Sequence, residues 1–357
     1  MSFVLRAITT MRRIYQIDSL PVLQNRVFPS VDAARECVTG DLKLIQDTKT
    51  GLISNHAFDG SRLVYDANYN NEQSLSAAFK KHLSEVKAIV GAHLGTSNLL
   101  EVGCGKGYFL EQLVSAGFDI TGCDPTYEGF NPRIVKQFYN SSLDIRGKDI
   151  VLRHVLEHIP DPVGFLELMN SVNQGRNIYI EVPCLDWIAK NRAWFDLFYE
   201  HVNYFRLSDL QAMFGTVFQS GRLFGGQYLF IVADLSTVRR PSCRTDDEFR
   251  LPADFHPDFR RLSKAKKIAV WGAASKGVIY SLHAMRNGIP IDCAIDVNPA
   301  KHGKYLPVTG IPVLSPEVAC KSLPKSTFVV IMNSNYSEEI RQMSMGKFKY
   351  LVADNEQ

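Results

Sequence analysis

Glu101, Gly103, Gly105 and Gly107 stand at alternate positions in LLEVGCGKGYFLEQLVSAGFDITGCD, residues 99 to 124, a stretch that closes on Asp124. Glycines so spaced let a backbone turn sharply and press against a ligand with no Cβ in the way. A carboxylate at the end of the next strand can accept both hydroxyls of a ribose. The pattern E-x-G-x-G-x-G differs from the dinucleotide fingerprint G-x-G-x-x-G, which would need a glycine where Tyr108 stands. These residues predict a nucleotide-type binding site built from Glu101, Gly103, Cys104, Gly105, Gly107, Asp124 and Pro125.

A second group lies further along. Asp149-Ile150-Val151-Leu152 reads as a short buried strand, and Arg153, His154 and His158 follow it. Ligands in open α/β sheets bind at that carboxyl end, so Arg153 and His154 are expected beside the same ligand. The run IYIEVP (178–183) leads into WIAKNRAWFDLFYEHVNYFR, read as an aromatic-rich helix carrying Trp194, Phe198, Tyr199, Glu200 and His201. Aromatic walls with a few titratable groups suit a small-molecule pocket, and Trp194 and Phe198 are expected to line it. Nearer the C-terminus, Gly272 to Gly277 fit G-x-A-x-x-G, and Asp296 ends the following strand. Lys276 and the N–H groups of a helix start there can receive a pyrophosphate. The basic-aromatic loop of Lys301, His302, Lys304 and Tyr305 can do likewise, and Asn333 sits at another strand end.

Positioning these groups requires two α/β units. The first has a helix over Leu75 to Ile89, a strand at Leu99, a helix at Phe109, Leu110 and Leu113, and a strand over Asp119 to Cys123. The second starts at Lys267 with strand IAVWG, helix GVIYSLHAM and strands IDCAID and STFVVIMN. The division predicted is a small β-rich module over 1–75, a central domain over 76–236, a Pro-rich charged linker over 237–260 and a C-terminal domain over 261–357. At 357 residues and 45% hydrophobic content the chain can build several cores. Forty basic against 37 acidic residues give no electrostatic case for a nucleic-acid or membrane-surface partner. Seven cysteines with no C-x-x-C pair predict free thiols in a reducing, cytoplasmic setting. The N-terminus lacks a continuous apolar run with a cleavage site, so no secretory signal is expected.

LLEVGCGKG resembles the S-adenosylmethionine (SAM) site of class I methyltransferases. Together with LEHIPDP, IEVP, WFDLFYEHVNYF, AVWGAASKG and AIDVNPAKHGKY it resembles the three-part C-methyltransferases of deoxysugar biosynthesis. The resemblance implies a class I SAM methyltransferase core, a C-terminal Rossmann-like domain and an N-terminal zinc module around a nucleotide-linked keto sugar. The family's I-Y-x-E-H segment matches Leu197 to His201, and its x-HIP histidine matches His158. The zinc module departs from the pattern: Leu20, Leu23, Asp47 and Thr50 stand at the four thiolate positions, so no zinc is expected. Phe198 stands where the family has a catalytic-segment tyrosine, with Tyr199 beside it. Tyr65 and Tyr69 are expected to cover the cofactor.

The function expected is SAM-dependent methyl transfer to a carbon next to a ketone. His201, with Glu200, would remove the proton, His158 would orient or polarise the substrate oxygen, and Tyr199 is a further candidate. An O- or N-methyltransferase on the same scaffold is the second expectation. A nucleotide-binding oxidoreductase or binding protein built around the C-terminal unit is the third.

Overall fold

The computed structural model describes residues 11–63, 76–143, 145–173, 176–242 and 247–355, whose strands form three sheets. Strands β1 (Met11–Pro21), β2 (Thr39–Asp47) and β3 (Ile53–Asn55) run antiparallel, with the short helix α1 (Val31–Arg35) between the first two. On β2, Gly40, Leu42, Leu44 and Gln46 face inward and alternate with the exposed Asp41 and Lys43, as a half-buried strand requires. A fourth strand, Asn203–Tyr204, joins this sheet from far along the chain by pairing with β3. Leu20 and Leu23 are buried core residues, and Thr50 lies in the turn after β2. With two leucines packed inward, the four positions do not fit a closed zinc site, which needs four thiolate or imidazole ligands.

The second sheet holds β4 (Leu99–Val102), β5 (Ile120–Cys123), β6 (Ile134–Val135), β7 (Asp149–Arg153), β8 (Asn177–Pro183), β10 (Val217–Leu223) and β11 (Tyr228–Asp234), with β9 being the Asn203–Tyr204 strand. Its order is β10-β11-β8-β7-β4-β5-β6. Strands β4 to β8 are parallel, and β11, last in the chain, inserts antiparallel beside β8. The central strands β4 and β7 are buried on both faces, which is why they read as mostly apolar runs, broken in β4 by Glu101. Helix α2 (Ala77–His93) starts at Ser76, whose hydroxyl accepts the Phe79 N–H, and buries Phe79, Leu83, Val86 and Val90 along one stripe. Helices α3 (Tyr108–Ser115), α4 (Pro162–Asn173), α5 (Leu185–Lys190) and α6 (Leu207–Ala212) complete the layers.

The third sheet is wholly parallel, in the order β14-β13-β12-β15-β16. Its strands are β12 (Ile268–Trp271), β13 (Cys293–Ile295), β14 (Val313–Leu314), β15 (Phe328–Ile331) and β16 (Lys349–Val352), with helices α7 (Ser275–Arg286), α8 (Pro316–Ser322) and α9 (Ser337–Met343). Among the parallel strands of the second and third sheets, the first strand is flanked by the second and fourth, so the direction of winding reverses beside it. Those reversal points, past β4/β7 and past β12/β15, are where such sheets bind ligands. No helix among the described residues is long and apolar enough to cross a membrane.

Candidate active site

The turn after β4 is held by its neighbour strand: Gly103 N–H donates to Cys123 O at 2.8 Å. Gly103, Gly105 and Gly107 have φ of 73°, 56° and 81°, the left-handed region that disfavours a side chain. A Cβ on Gly103 would lie 2.2 Å from Val155 and one on Gly107 2.5 Å from Ile134, so these two glycines serve packing. A Cβ on Gly105 would meet nothing within 4 Å, and Gly105 lines a cleft of about 670 Å³. Its backbone is the one left bare for a ligand. Asp124 follows β5 and pins the turn, its Oδ2 accepting Gly105 N–H at 2.8 Å. Its Oδ1 accepts the Thr126 N–H at 2.7 Å and hydroxyl at 2.6 Å, and that hydroxyl can rotate away when a ribose hydroxyl arrives.

Beside this turn, Glu101 is buried with its carboxyl pushed up to about 7 by burial, which Arg153 partly offsets. Its Oε2 is buried with no hydrogen-bond partner among the described residues, and Glu101 lines the cleft. Arg153 stacks on Phe109 at 4.6 Å and bonds Glu181 at 3.0 Å. His154 has φ of 53°, a left-handed conformation in a non-glycine residue at a strand end. Glu181 holds it there at 3.0 Å and Glu157 at 3.4 Å. Burial alone would lower the His154 pKa, but these two carboxylates outweigh it and hold it up at about 9, so the ring is a cation.

Further along the cleft, Glu157, His158 and His201 converge, with one potential ligand atom from each within 4.8 Å of the others. His158 Nδ1 lies 3.0 Å from Glu200 O, which fixes Nδ1 as the N–H and presents Nε2 as an acceptor. The His158 and His201 rings meet edge to face at 5.0 Å, and Phe198 packs on His201 at 4.9 Å. Burial, with His158 adding to it, pushes His201 down to about 3, so its imidazole is neutral. Glu157 is ionised despite burial because His154 and His158 stabilise its charge, and its Oε2 has no hydrogen-bond partner among the described residues. Glu200 is buried and accepts Gln24 N–H at 3.2 Å, tying this segment to the N-terminal sheet.

Several expectations need correction. The aromatic segment is helical only over Leu185–Lys190; after a short 3-10 turn at Trp194–Asp196 it runs irregularly through Glu200 and His201. Trp194 therefore points away from the cleft, stacking on Tyr280 of α7 at 5.3 Å. Tyr199 does not line the cleft either; its hydroxyl accepts Asp59 N–H at 2.8 Å and is spent on packing the first sheet. Gly107 lies behind the turn rather than on the cleft. Tyr65 and Tyr69 lie outside the described residues. The remaining expected positions, Glu101, Gly103, Cys104, Gly105, Asp124, Pro125, Arg153, His154, His158, Phe198, Glu200, His201, Lys276 and Asn333, share one cleft.

The far wall of that cleft is the turn after β12, built like the first. Gly272 N–H donates to Ile295 O at 2.8 Å, and Asp296 accepts Ala273 N–H at 2.8 Å. Lys276 does not stand open: Asp196 lies 2.9 Å from its Nζ and Gln227 accepts from it at 2.9 Å. Asn333 and Gln227 exchange amide hydrogen bonds of 2.7 and 2.9 Å. The basic-aromatic loop expected to receive a pyrophosphate is buried at Lys301, which pairs with Asp296 at 3.3 Å, and its Tyr305 backbone pairs with Phe28. Sequence reasoning passed over Glu157, Glu181, Asp196 and Gln227. Glu157 was visible inside LEHIP, whereas nothing local marks Asp196 or Gln227.

Residues 71–217 match the family model of a methyltransferase domain, and residues 259–349 match that of a C-methyltransferase C-terminal domain. The chain is 24% identical over 326 aligned residues to a C-methyltransferase, NovU, of Streptomyces niveus, covering 78% of this chain and 76% of that protein. The two matches and this relative support a SAM-dependent methyltransferase of the C-methyltransferase type. Among solved structures the methyltransferase is similar to a 1,6-didemethyltoxoflavin-N1-methyltransferase of Burkholderia thailandensis bound to S-adenosylhomocysteine (SAH), at 17% identity, 51% and 95% coverage and a TM-score of 0.34. It is also similar to the magnesium protoporphyrin IX methyltransferase of Synechocystis PCC 6803 with SAH, at 15% identity, 48% and 90% coverage and a TM-score of 0.35. The bare Gly105 backbone, Asp124 and the orphaned Glu101 oxygen fit the residues of this methyltransferase to SAM.

Proposed function

We propose that the methyltransferase delivers its methyl group to carbon, on a small acceptor in which that carbon lies next to a ketone. The observation that carries this reading is the centre of Glu157, His158 and His201 in the same cleft as the glycine turn. SAM, when bound, supplies an electrophilic methyl on a cationic sulfonium, so what remains for the protein is to make and place a nucleophile. A carbon beside a ketone becomes one only when a base removes its proton. We assign that proton to His201, whose proton affinity burial lowers and the neighbouring Glu157 carboxylate raises. His158 presents an acceptor nitrogen that orients an acceptor hydroxyl, and the cationic His154 supplies positive charge to the enolate oxygen. Glu200 anchors the segment through Gln24. The resemblance adds a sugar carried on a nucleotide to this picture, and the NovU relative is by its name a C-methyltransferase.

Phe198 favours a second reading, O- or N-methylation, because a phenyl ring on the cleft wall offers no hydroxyl to an enolate. Deuterium wash-in separates the two. Keto sugars incubated in deuterated buffer with enzyme and SAH should exchange the hydrogen beside the ketone, and His201→Ala should abolish the exchange. Methyl transfer without any wash-in would overturn carbon methylation.

A further inference from the structure

Tyr228 opens β11 at the ligand edge of the second sheet, opposite Pro183, which ends β8. The turn that delivers it is left-handed at three successive residues: Phe224, Gly225 and Gly226 have φ of 50°, 66° and 87°. Such strain persists only where the surroundings over-determine it. Here Phe224 O accepts the Asn335 side-chain N–H at 2.9 Å, and Gln227, next to Tyr228, is the residue paired with Asn333. The Tyr228 ring stacks on Phe224 at 5.2 Å and packs on His82 at 5.4 Å. Its third neighbour is the cationic His154, edge to face at 4.6 Å. The other described tyrosines on the cleft, Tyr108, Tyr139 and Tyr336, make no ring contact with His154.

The ring is fixed, and its hydroxyl is spare. Tyr228 is half-buried, lines the cleft and makes no hydrogen bond through that hydroxyl among the described residues. Tyr199 and Tyr204, by contrast, spend theirs on the protein's own backbone, at 2.8 Å each. Burial, with Tyr336, Asp196 and Glu181 adding to it, holds the Tyr228 phenol well above its ordinary pKa against the opposing pull of Arg153. The phenol therefore keeps its proton and remains a donor. A neutral donor held rigid beside a cation suits an oxygen on which negative charge builds. Phe198, also on the cleft wall, has no hydroxyl to offer it.

We propose that Tyr228 is a catalytic residue, its hydroxyl donating a hydrogen bond to the ketone oxygen of the acceptor as the enolate forms. The inference rests on the reading of a keto acceptor. The bond that breaks is the C–H beside the ketone: its proton goes to His201, its electron pair ends on the oxygen, and the phenol O–H stays intact. With SAH bound there is no methyl to transfer, so deuterium wash-in isolates that step. Tyr228→Phe should slow wash-in into a thymidine-diphosphate-linked 4-keto sugar by about 10²-fold or more at saturating sugar. The half-saturating sugar concentration and SAH affinity should stay within about threefold of the wild type, and the melting midpoint should not move, since only an unpaired oxygen is removed. Wash-in by the variant within about threefold of the wild type would overturn the assignment. So would a matching loss of SAH affinity, which would give the hydroxyl to the methyl donor instead. No wash-in by the wild type removes the keto acceptor and this assignment together, whereas wash-in by both at one rate removes the assignment alone.

Discussion

His201 illustrates how one side chain links chemistry to stability. The folded chain keeps it neutral down to about pH 3, whereas its ordinary value is 6.5. Below pH 6.5 the unfolded chain binds a proton that the folded chain refuses, so stability falls as pH drops, by about 1.4 kcal/mol per unit from this group alone. His154 has the opposite sign: with its pKa held up at about 9, its stabilisation is complete below 6.5 and is lost as pH rises through 9. The urea midpoint of the wild type should therefore decline more steeply below pH 6.5 than that of His201→Asn; parallel curves would refute this account. In turnover, His201→Ala should lose about 10²- to 10⁴-fold with SAH affinity unchanged, as expected for a proton acceptor remote from the glycine turn. Asp124→Ala should do the converse and weaken SAH by about tenfold or more in calorimetry. At this scale the cofactor turn is legible in the sequence because its spacing is local. Gln227 and Asp196 are silent, since what they meet lies across the fold.

The two glycine turns show what an element asks of its residues. Gly103→Ala should destabilise the fold by about 2–4 kcal/mol, because its Cβ would sit 2.2 Å from Val155 at a φ of 73°. Gly105→Ala should cost only about 1 kcal/mol in a thermal melt yet weaken SAH at least tenfold, its Cβ entering the open cleft. A similar loss of SAH affinity in both variants would show that Gly105 is not the bare position. Strands such as β7 and β12 are readable from sequence because burial on both faces leaves an apolar run. The segment 191–203 is not. Its aromatic side chains suit a helix face, but Trp194 is claimed by α7 and Tyr199 by the first sheet, and those long-range contacts unwind it.

Across the whole molecule, Arg206 joins three parts that are far apart in sequence. It contacts Asp209 and Asp247, each at 2.6 Å, and donates to Gly51 O at 3.2 Å, all while 6% exposed. Arg206→Ala should lower unfolding free energy by about 3–5 kcal/mol in urea titration, since it strands the buried Asp209 carboxylate. A loss under about 1 kcal/mol would mean the pair is effectively a surface one. The two α/β units are visible in the sequence as repeated strand, turn and helix, but the joint at Arg206 has no periodic signal. Nor does the strand that closes the first sheet, Asn203–Tyr204 on β3. That closure has a consequence during synthesis. The β1–β3 meander leaves the ribosome with its β3 edge bare, and the partner strand is made roughly ten to thirty seconds later at ordinary elongation rates. For that interval the nascent chain offers an open template for pairing with other chains.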